Sequence, residues 1–404
     1  MVKKKVCMIL LHHSSLDARI YYKEAITLRD AGYDVHLICR LNNKTFTETG
    51  GKPVGYPDKN MEWKCDGFTF HGVLKRKGIF GKWLEYKETV KIGLSIKANF
   101  YHCHESNITL AAALKIKQKL GMPSKLIFDI HEFSRKGWIE KVPFGFKNVY
   151  YFLFSNWEKK AINHTDYLIT ANSITRAYSL IDNKYKKVKI LQNVPVLSIF
   201  KDKKEVIKKN NCIIICHEGI LNFNRGLKEM VSLVENTKFK ITLKIIGNIP
   251  YKEEKWLKSK FKDNLKLLQF IQITGWLPYK DVGNALSECD IGLILSFPTT
   301  NNMLAGPPNK LFNYMRYGIP VVSVDLPETR AIITKYKCGI IVKDWKINSI
   351  ISAVQYLINH PSEAKAMGQR GKQAILEELN WEKEGEALLS IYEELQNEGE
   401  FILP

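Results

Sequence analysis

The sequence predicts an α/β protein built from two doubly wound domains, and three observations support this fold class. Short apolar runs of strand length alternate with longer amphipathic runs along the 404-residue chain, which is typical of a parallel sheet covered by helices. The alternation pauses once, near Pro195, and then starts again. The length suits two to three domains, and no short period repeats, so a solenoid or a propeller is not expected.

The first half of the chain contains seven apolar runs of strand length. They are Val6–Leu11, Val35–Cys39, Phe68–Val73, Phe100–Cys103, Leu126–Ile130, Tyr167–Thr170 and Val188–Leu191. The amphipathic runs between them predict helices at Arg19–Ala31, Thr109–Leu120 and Tyr150–Ile162. The stretch Asn42–Cys65 is rich in Gly, Pro and Asn, so we predict a loop or a short hairpin there.

The pause lies at Gln192–Ser198 and is followed by the charged segment Lys201–Asn211. Because Pro195 and these charges cannot extend the preceding strand, we predict a first domain over residues 1–194 and a second over 195–381. The strand pattern then resumes, and the last sixty residues are helical in character. The second set of runs is Cys212–Cys216, Ile241–Ile246, Ile271–Thr274, Ile291–Leu295, Pro320–Val324 and Gly339–Val342.

The balance of charge is strongly basic. The chain has 61 Lys and Arg against 41 Asp and Glu, a formal charge of +20, and the first 180 residues hold 29 of these cations against 16 of the acids. A nucleic acid, an anionic membrane face or a phosphorylated ligand would fit this balance, and so would a solvated lysine-rich surface. No recognised nucleic-acid-binding module is present, so we expect no nucleic-acid partner.

Other features indicate the compartment. No apolar run approaches the ~18 residues that span a bilayer, and the apolar stretch at the start ends after about six residues at polar His12 and His13. The closest of the eight cysteines, Cys212 and Cys216, are too far apart for a C-x-x-C pair. We therefore predict a cytoplasmic protein without a disulfide framework.

Ligands of doubly wound sheets bind at the carboxyl ends of the strands, so the loops there are the candidate sites. The loop His217–Gly226 offers Gly219 for close backbone approach and Arg225 for gripping phosphate oxygens. The segment Asn301–Val322 places Lys310 at a helix start after two prolines, which also suits a phosphate. The alternatives are an ordinary strand-to-helix loop for the first segment, where phosphate binding is slightly favoured, and a Pro-capped core helix for the second, which fits equally well.

A third loop follows Phe128–Ile130. Strand alternation puts Asp129 and His131 on the same side, and His102 and His104 form a similar cluster at another strand end. The alternative is a set of structural histidines. The chain lacks a Walker A loop, a G-x-S-x-G elbow, an H-E-x-x-H pair and an Asp-x-Asp pair, so no carboxylate pair is evident for a divalent cation.

Together these segments resemble glycosyltransferase family 4, whose members use nucleotide sugars. The resemblance runs over nearly the whole chain, and its specificity lies in the order of many individually weak motifs. They are Leu16–Ile20 with Lys23–Ala25 and Ala31–Val35, Tyr101–His104 with Thr109 and Leu110, Phe128–Glu132, Glu218–Leu221, Asn224–Leu227, Thr274–Pro278, Cys289–Gly292, Pro308–Phe312 with Tyr314 and Met315, Gly318–Val322, and Trp381 with Ile391 and Tyr392.

The resemblance implies a GT-B fold, with two Rossmann-like domains, an interdomain cleft and a C-terminal helix, residues 382–404, that returns to the first domain. It also implies a retaining transfer without a bound metal or other cofactor, from a UDP- or GDP-linked sugar to a saccharide or lipid-linked acceptor in glycan assembly. The resemblance also implies the following binding and catalytic residues. Arg225 and Lys310 would neutralise the diphosphate, Gly219 would let it approach the backbone, Trp276 and Leu277 would flank the base, and His131 would contact the transferred sugar.

Two departures from the family pattern matter. The family often carries two glutamates eight positions apart, of which the second holds the ribose, and the matching positions here are Ala305 and Asn313. Ile220 stands where some members have a further phosphate-binding arginine. A non-catalytic subunit that binds a nucleotide sugar or glycan is therefore a second hypothesis, and a sugar-nucleotide epimerase of the same fold is a weaker third.

The basic first half also suggests a membrane partner. Lys136–Ile139 and Phe144–Trp157 interleave aromatic residues with lysines, as segments at a membrane interface do. We predict peripheral binding to the anionic inner face of the cell membrane. An aromatic core helix with a rim of lysines is the alternative.

Overall fold

The chain forms two compact units in the computed structural model. The first consists of Met1–Asn193 with Glu384–Pro404, and the second of Val194–Lys383. Both have the predicted α/β fold with a parallel sheet, so the fold class is confirmed. The structure describes residues 3–121, 123–131, 147–173, 175–177, 187–198, 212–236, 240–262, 265–297 and 306–400.

The described strands of the first unit build one large sheet and one small hairpin. They are β1 (Lys5–Leu10), β2 (Asp34–Leu41), β3 (Phe46–Thr47), β4 (Pro53–Gly55), β5 (Glu62–Cys65), β6 (Phe68–Leu74), β7 (Phe100–His104), β8 (Lys125–Ile130), β9 (Tyr167–Thr170) and β10 (Val188–Ile190). The large sheet has the order β10-β9-β8-β7-β1-β2-β6-β5, and its pairs are parallel except β5 with β6. The strand β5 thus extends the sheet in a region that the sequence predicted as loop or hairpin.

The described helices of the first unit cover this sheet. They are a π-helical turn at Ile20–Ala25 that continues as Ile26–Asp30, then Gly78–Ile96, Asn107–Leu120 and Lys147–Asn163, and finally the larger part of Trp381–Glu400. The helix Gly78–Ile96 was not among the predicted ones. Its buried positions include Gly81, Glu85, Thr89 and Gly93, so it has no apolar stripe that would reveal it.

The second unit contains a six-stranded sheet in which every pair is parallel. Its strands are β11 (Ile213–Glu218), β12 (Ile241–Ile246), β13 (Ile271–Ile273), β14 (Ile291–Ile294), β15 (Val321–Val324) and β16 (Gly339–Val342), in the order β13-β12-β11-β14-β15-β16. This order reverses direction between β11 and β14, which is where doubly wound sheets bind ligands. The helices are Leu227–Asn236, Tyr251–Lys260, Leu265–Leu268, Val282–Ser287, Asn309–Arg316, Pro327–Tyr336, Ile347–Asn359 and Pro361–Glu377.

The last helix, Trp381–Glu400, begins in the second unit and continues in the first. The backbone N–H of Trp381 donates to the carbonyl of Pro195, whereas Tyr392 is buried with its hydroxyl 2.9 Å from His102 Nδ1. Lys187 forms ion pairs with Glu394 and Glu398 of the same helix. Among the described helices, none combines the length and the apolar character needed to cross a membrane.

Candidate functional site

The carboxyl end of β11 lies against two glycine loops. Gly219 has φ +93°, and a Cβ placed on it would meet nothing within 4 Å, so its outer side is open. Gly247, after β12, has φ +147°, and a Cβ there would lie 2.3 Å from the carbonyl oxygen of Gly219. Glycine is therefore required at Gly247 for packing and at Gly219 for its backbone conformation. The open side of Gly219 leaves room for a ligand to approach the backbone.

Lys310 is buried in the first turn of the helix Asn309–Arg316, and this helix begins directly after Pro308. Its Nζ lies 2.9 Å from Nε2 of His217, which is itself 3.3 Å from the carbonyl oxygen of Ile220. Burial, followed by repulsion from Arg225, lowers the pKa of Lys310 to about 7. Burial and the nearby Lys310 likewise lower the pKa of His217, so this imidazole is neutral and its Nε2 can accept from the ammonium group.

Arg225 lies in the 3-10 turn Phe223–Arg225, just before Gly226 and the helix Leu227–Asn236. Its Nη1 donates to the carbonyl of Ile220 at 3.1 Å. Gly226 has φ +86°, and a Cβ there would lie 2.5 Å from Leu295 Cβ, so this turn packs tightly against the end of β14. The turn holds the guanidinium close enough to Lys310 and His217 to disfavour a charge on either.

A carboxylate that the sequence did not assign completes this edge of the sheet. Asn313 Nδ2 donates to both oxygens of Glu218, at 2.8 and 3.0 Å, and the backbone N–H of Glu218 donates to the hydroxyl of Tyr314 at 3.0 Å. Burial raises the pKa of Glu218 although the hydrogen bond from Asn313 opposes the shift. Asn313, which stands where the resemblance expects a glutamate, is thus in direct contact with the carboxylate of Glu218.

The loop after β13 carries the two residues predicted to flank a base. Gly275 has φ +70°, and a Cβ on it would lie 3.6 Å from Asn248 Oδ1, while the carbonyl of Asn248 accepts from Leu221 N–H. The Leu221–Asn248 hydrogen bond joins the loops after β11 and β12, and Gly275 of the loop after β13 lies beside Asn248. The side chain of Trp276 is 41% exposed, whereas Leu277 packs against the hydrophobic core. Trp276 therefore offers an exposed flat ring, and the partly buried Leu277 lies next to it on the same loop.

In the first unit, a buried ionic network lies at the ends of β7 and β8. His131 Nε2 lies 3.0 Å from Asp129 Oδ2, as the predicted alternation requires, and 3.4 Å from His104 Nδ1. The guanidinium of Arg19 donates to Asp129 Oδ2 at 3.0 and 3.2 Å and also lies 2.9 Å from Glu24 Oε1. Arg19 and Glu24 belong to the motifs of the resemblance, but the sequence did not connect them with Asp129.

The pKa shifts show how this network is balanced. Burial works against the charged form of Asp129, yet Arg19 and His131 outweigh it and hold the pKa of the carboxyl well below its usual range. Burial and the repulsion of Asp129 raise the pKa of Glu24. Burial lowers the pKa of His104 to about 4, so its imidazole is neutral. The Arg19 cation is therefore matched by the Asp129 carboxylate beside it.

Nearer the surface, His13 lies between two carboxylates. Its Nε2 is 2.9 Å from Glu105 Oε2, and its Nδ1 is 3.4 Å from Asp17 Oδ2. Burial disfavours the imidazolium, but the hydrogen bonds with Asp17 and Glu105 outweigh burial and raise the pKa of His13 to about 10. The rings of His13 and His131 are 5.0 Å apart, so a charged histidine borders the residue predicted to contact the sugar.

Among the described residues of the first unit, two groups of side chains have their donor atoms close enough to hold a metal ion. One is Glu24, His102, His104 and Asp129, and the other is His13, Glu105 and His131. In the first group, a metal would have to displace the guanidinium of Arg19 from the two carboxylates. In the second, it would have to displace the proton that His13 shares with Glu105.

The structure brings most of the predicted site residues to the carboxyl ends of strands. Gly219, Arg225, Lys310 and Asn313 lie together in the second unit, and His131 lies in the first. Ala305 and the predicted interfacial residues Lys136–Ile139 lie outside the described residues.

A known family model matches most of the second unit. Residues 198–374 match the family model Glycosyl transferases group 1, so this unit carries a domain of that group. A search of the curated proteins finds no match to this chain.

Solved structures show the fold of the whole chain. Sucrose-phosphate synthase from Thermosynechococcus elongatus superposes with a TM-score of 0.72 at 12% identity, over 98% of this chain and 100% of that one. HepE from Anabaena, in complex with UDP-glucose, gives 0.68 at 9% identity over 96% and 99%. An α,α-trehalose 6-phosphate synthase from Burkholderia multivorans gives 0.65 at 11% identity over 99% and 98%. The chain therefore has the GT-B fold of nucleotide-sugar glycosyltransferases.

Proposed function

We propose that the protein is a retaining glycosyltransferase that moves a sugar from a UDP- or GDP-linked donor to a saccharide or lipid-linked acceptor in the assembly of a cell-surface glycan. The observation that carries this proposal is the buried Lys310, beside neutral His217 and near Arg225, next to the open backbone at Gly219. The domain match and the structural neighbour in complex with UDP-glucose support a nucleotide-sugar donor.

The diphosphate of the donor binds to Lys310 and Arg225. In the free protein, Arg225 disfavours the charge on Lys310, and a bound diphosphate offsets this repulsion with its own negative charge. The first turn of the helix Asn309–Arg316 adds the positive end of its dipole. The buried lysine, the arginine and the helix N-terminus therefore all favour the binding of an anion at this site.

The Glu218–Asn313 pair takes the place of the missing ribose glutamate. Asn313 Nδ2 donates to both oxygens of Glu218, so the hydrogen bonds hold this carboxylate next to the side chain of residue 313, the position of the missing glutamate. A ribose presents two hydroxyls, which can be shared between a carboxylate and an amide oxygen. Trp276 and Leu277 flank the base on the neighbouring loop.

Transfer breaks the bond between the anomeric carbon and the diphosphate oxygen, joins the sugar to the oxygen of an acceptor hydroxyl on the same face, and passes the hydroxyl proton to the departing diphosphate. Negative charge develops on the leaving diphosphate, and Lys310 and Arg225 stabilise it without a metal ion. His131 contacts the transferred sugar, and Asp129 fixes its ring through Nε2. Catalysis then rests on groups that are in place before the donor binds.

The second candidate is a subunit that binds the nucleotide sugar without transferring it. The observation that favours it is Asn313, which replaces a charged side chain by a neutral one at the ribose position. This candidate shares the donor site and differs only in turnover, so binding alone does not separate it from the enzyme.

A screen of nucleoside diphosphate sugars for release of the nucleoside diphosphate, with and without a chelator, separates the two. The enzyme releases UDP or GDP in the presence of an acceptor, the chelator has no effect, and Arg225→Ala and His131→Ala each reduce release about 100-fold. Lys258→Ala, an exposed lysine paired with Glu254, is the matched control and leaves release unchanged. Tight donor binding with no release from any donor would favour the non-catalytic subunit.

We also propose that the enzyme works at the anionic inner face of the cell membrane. The described part of the predicted interfacial segment supports this: Phe152 and Leu153 are about two-thirds exposed on the helix Lys147–Asn163, and Trp157 is partly exposed. Exposed apolar side chains of this size are expected where a surface meets another phase or partner. Binding to vesicles that contain anionic lipid tests the proposal, and a lack of binding at every salt concentration would refute it.

A further inference from the structure

The start of the helix Gly78–Ile96 exposes three large apolar side chains. Ile79 is 92% exposed, Phe80 69% and Trp83 45%, which places them among the most exposed apolar residues of the described chain. The rings of Phe80 and Trp83 stack with centroids 5.4 Å apart, and Lys87 Nζ lies 3.7 Å above the Trp83 ring. We call Ile79, Phe80 and Trp83 the apolar tip. A contiguous exposed patch of this kind marks an interaction surface.

The apolar tip is held rigidly. The buried carboxylate of Glu85 accepts a hydrogen bond from the backbone N–H of Arg76 at 2.7 Å, one from Arg40 Nη2 at 2.8 Å and two from Lys82 Nζ at 3.0 Å. Gly81 adds to this, because a Cβ there would lie 2.8 Å from the Cβ of Arg76. The segment is therefore fixed with its apolar side chains outward, and their exposure is not the result of a loose loop.

Positive charge surrounds the apolar tip. Lys75, Lys77 and Lys87 are exposed around it, whereas the nearby carboxylates of Glu85 and Glu88 are engaged by Lys82, Arg40 and Arg76. Aromatic and aliphatic side chains ringed by lysines match the two layers of an anionic bilayer surface: the apolar groups enter the interface and the lysines meet the headgroups.

The apolar tip follows β6, so it lies at the carboxyl edge of the first-unit sheet. The same edge carries His104 at the end of β7 and His131 after β8. The helix Asn107–Leu120 packs between the helices Gly78–Ile96 and Lys147–Asn163, so the exposed Phe152 and Leu153 belong to the same layer of helices. A membrane at this edge would bring a lipid-linked acceptor to the side of the sheet that holds His131.

We propose that the apolar tip inserts into the interfacial layer of an anionic lipid bilayer, with Lys75, Lys77 and Lys87 on the headgroups. The proposal deepens the membrane partner of the proposed function and rests on it. A second protein copy is a poorer occupant, because three side chains cover a few hundred Å² and a stable interface needs about 600 Å² from each partner. A lipid bilayer does not need a surface of complementary shape, so a patch as small as the apolar tip is large enough to insert into it.

Sedimentation of the full-length protein with vesicles tests this inference. We expect binding to phosphatidylglycerol-rich vesicles and little binding to pure phosphatidylcholine. The double substitution Ile79→Ser with Phe80→Ser should lower the partition coefficient about tenfold or more, and Lys75→Glu with Lys77→Glu should do the same. Tyr251→Ser, which changes an 80% exposed aromatic residue in the second unit, is the matched control and should bind as wild type.

Two results would overturn the inference. One is that the variant with Ile79→Ser and Phe80→Ser binds vesicles as well as the wild type, while Phe152→Ser with Leu153→Ser abolishes vesicle binding. The other is an unchanged vesicle affinity together with loss of a concentration-dependent dimer, which would identify a second copy as the occupant. Release of nucleoside diphosphate with a water-soluble acceptor is measured in parallel and should be unchanged in the tip variants. Vesicle binding through the tip without any release would leave this inference standing and refute the transferase.

Discussion

The two units place buried charge at the carboxyl ends of their strands but balance it in opposite ways. In the first unit, the guanidinium of Arg19 lies within 3.2 Å of oxygens of Asp129 and Glu24, and the Asp129 carboxylate matches its charge. In the second unit, Lys310 has a neutral imidazole as its hydrogen-bond partner, and burial together with the repulsion of Arg225 outweighs the attraction of the Glu218 carboxylate.

This difference indicates which network serves the fold and which awaits a ligand. A buried ion pair needs no countercharge from an outside group, although breaking it is costly. A buried ammonium group with a lowered pKa is in an unfavourable state that an anion would relieve. We therefore assign the first network to the positioning of His131 and the second to the binding of a diphosphate.

The largest effect is expected from Asp129→Ala. It leaves the Arg19 guanidinium buried with only part of its compensation, so the free energy of unfolding should fall by about 3–5 kcal/mol. Urea denaturation measures it, and Asp344→Ala, at an exposed aspartate, is the control. A loss below about 1 kcal/mol would mean that the first network is not the self-compensating pair described here.

Lys310→Met should have the opposite effect on stability. It removes a buried charge while keeping much of the side-chain volume, so the free energy of unfolding should stay equal or rise by about 1–2 kcal/mol. The affinity for UDP or GDP should fall about 100-fold, because a charge-assisted contact contributes about 2–3 kcal/mol. Denaturation and calorimetric titration give the two numbers, and a marked loss of stability would break the contrast between the units.

The smallest effect concerns the helix Trp381–Glu400. Tyr392→Phe removes the hydroxyl that lies 2.9 Å from His102 Nδ1 and leaves the aromatic packing intact. We expect a loss of about 1–2 kcal/mol in thermal or urea unfolding, since a buried histidine nitrogen loses its partner. Tyr356→Phe, on an exposed surface of the second unit, should change stability by less. Equal effects of the two substitutions would mean that the His102 contact adds nothing.

The sequence predicted the sheet well because its strands are buried on both faces. Such strands appear as short continuous apolar runs, so Tyr167–Thr170 and Ile241–Ile246 were predicted with the observed bounds. The helix Gly78–Ile96 escaped because Glu85 and Thr89 occupy its buried face. The edge strand β5 was not predicted because its apolar and polar side chains alternate only weakly and it lies among Gly, Asn and charged residues.

The individual site residues were easier to predict than their partners. Arg225 lies in the loop after a strand-like run and Lys310 at a helix start after two prolines, so both could be proposed from local chemistry. The contact between Glu218 and Asn313 joins residues 95 positions apart, and that between Arg19 and Asp129 joins residues 110 apart. A local pattern contains no information on such pairs, so the carboxylate at the ribose position and the neutralisation of Arg19 required the folded structure.

The pH dependence of nucleotide binding tests the central assignment most directly. The pKa of Lys310 in the free protein is about 7, and binding a diphosphate requires its charged form, so binding takes up a proton above pH 7. The affinity for UDP or GDP should fall about 10- to 30-fold from pH 6.5 to pH 8.5, and calorimetry in buffers of different ionisation enthalpy should detect the proton uptake. Lys310→Arg, which stays charged, should remove most of this dependence. The same decline in the arginine variant, or a flat profile in the wild type, would contradict the assignment of Lys310 to the diphosphate.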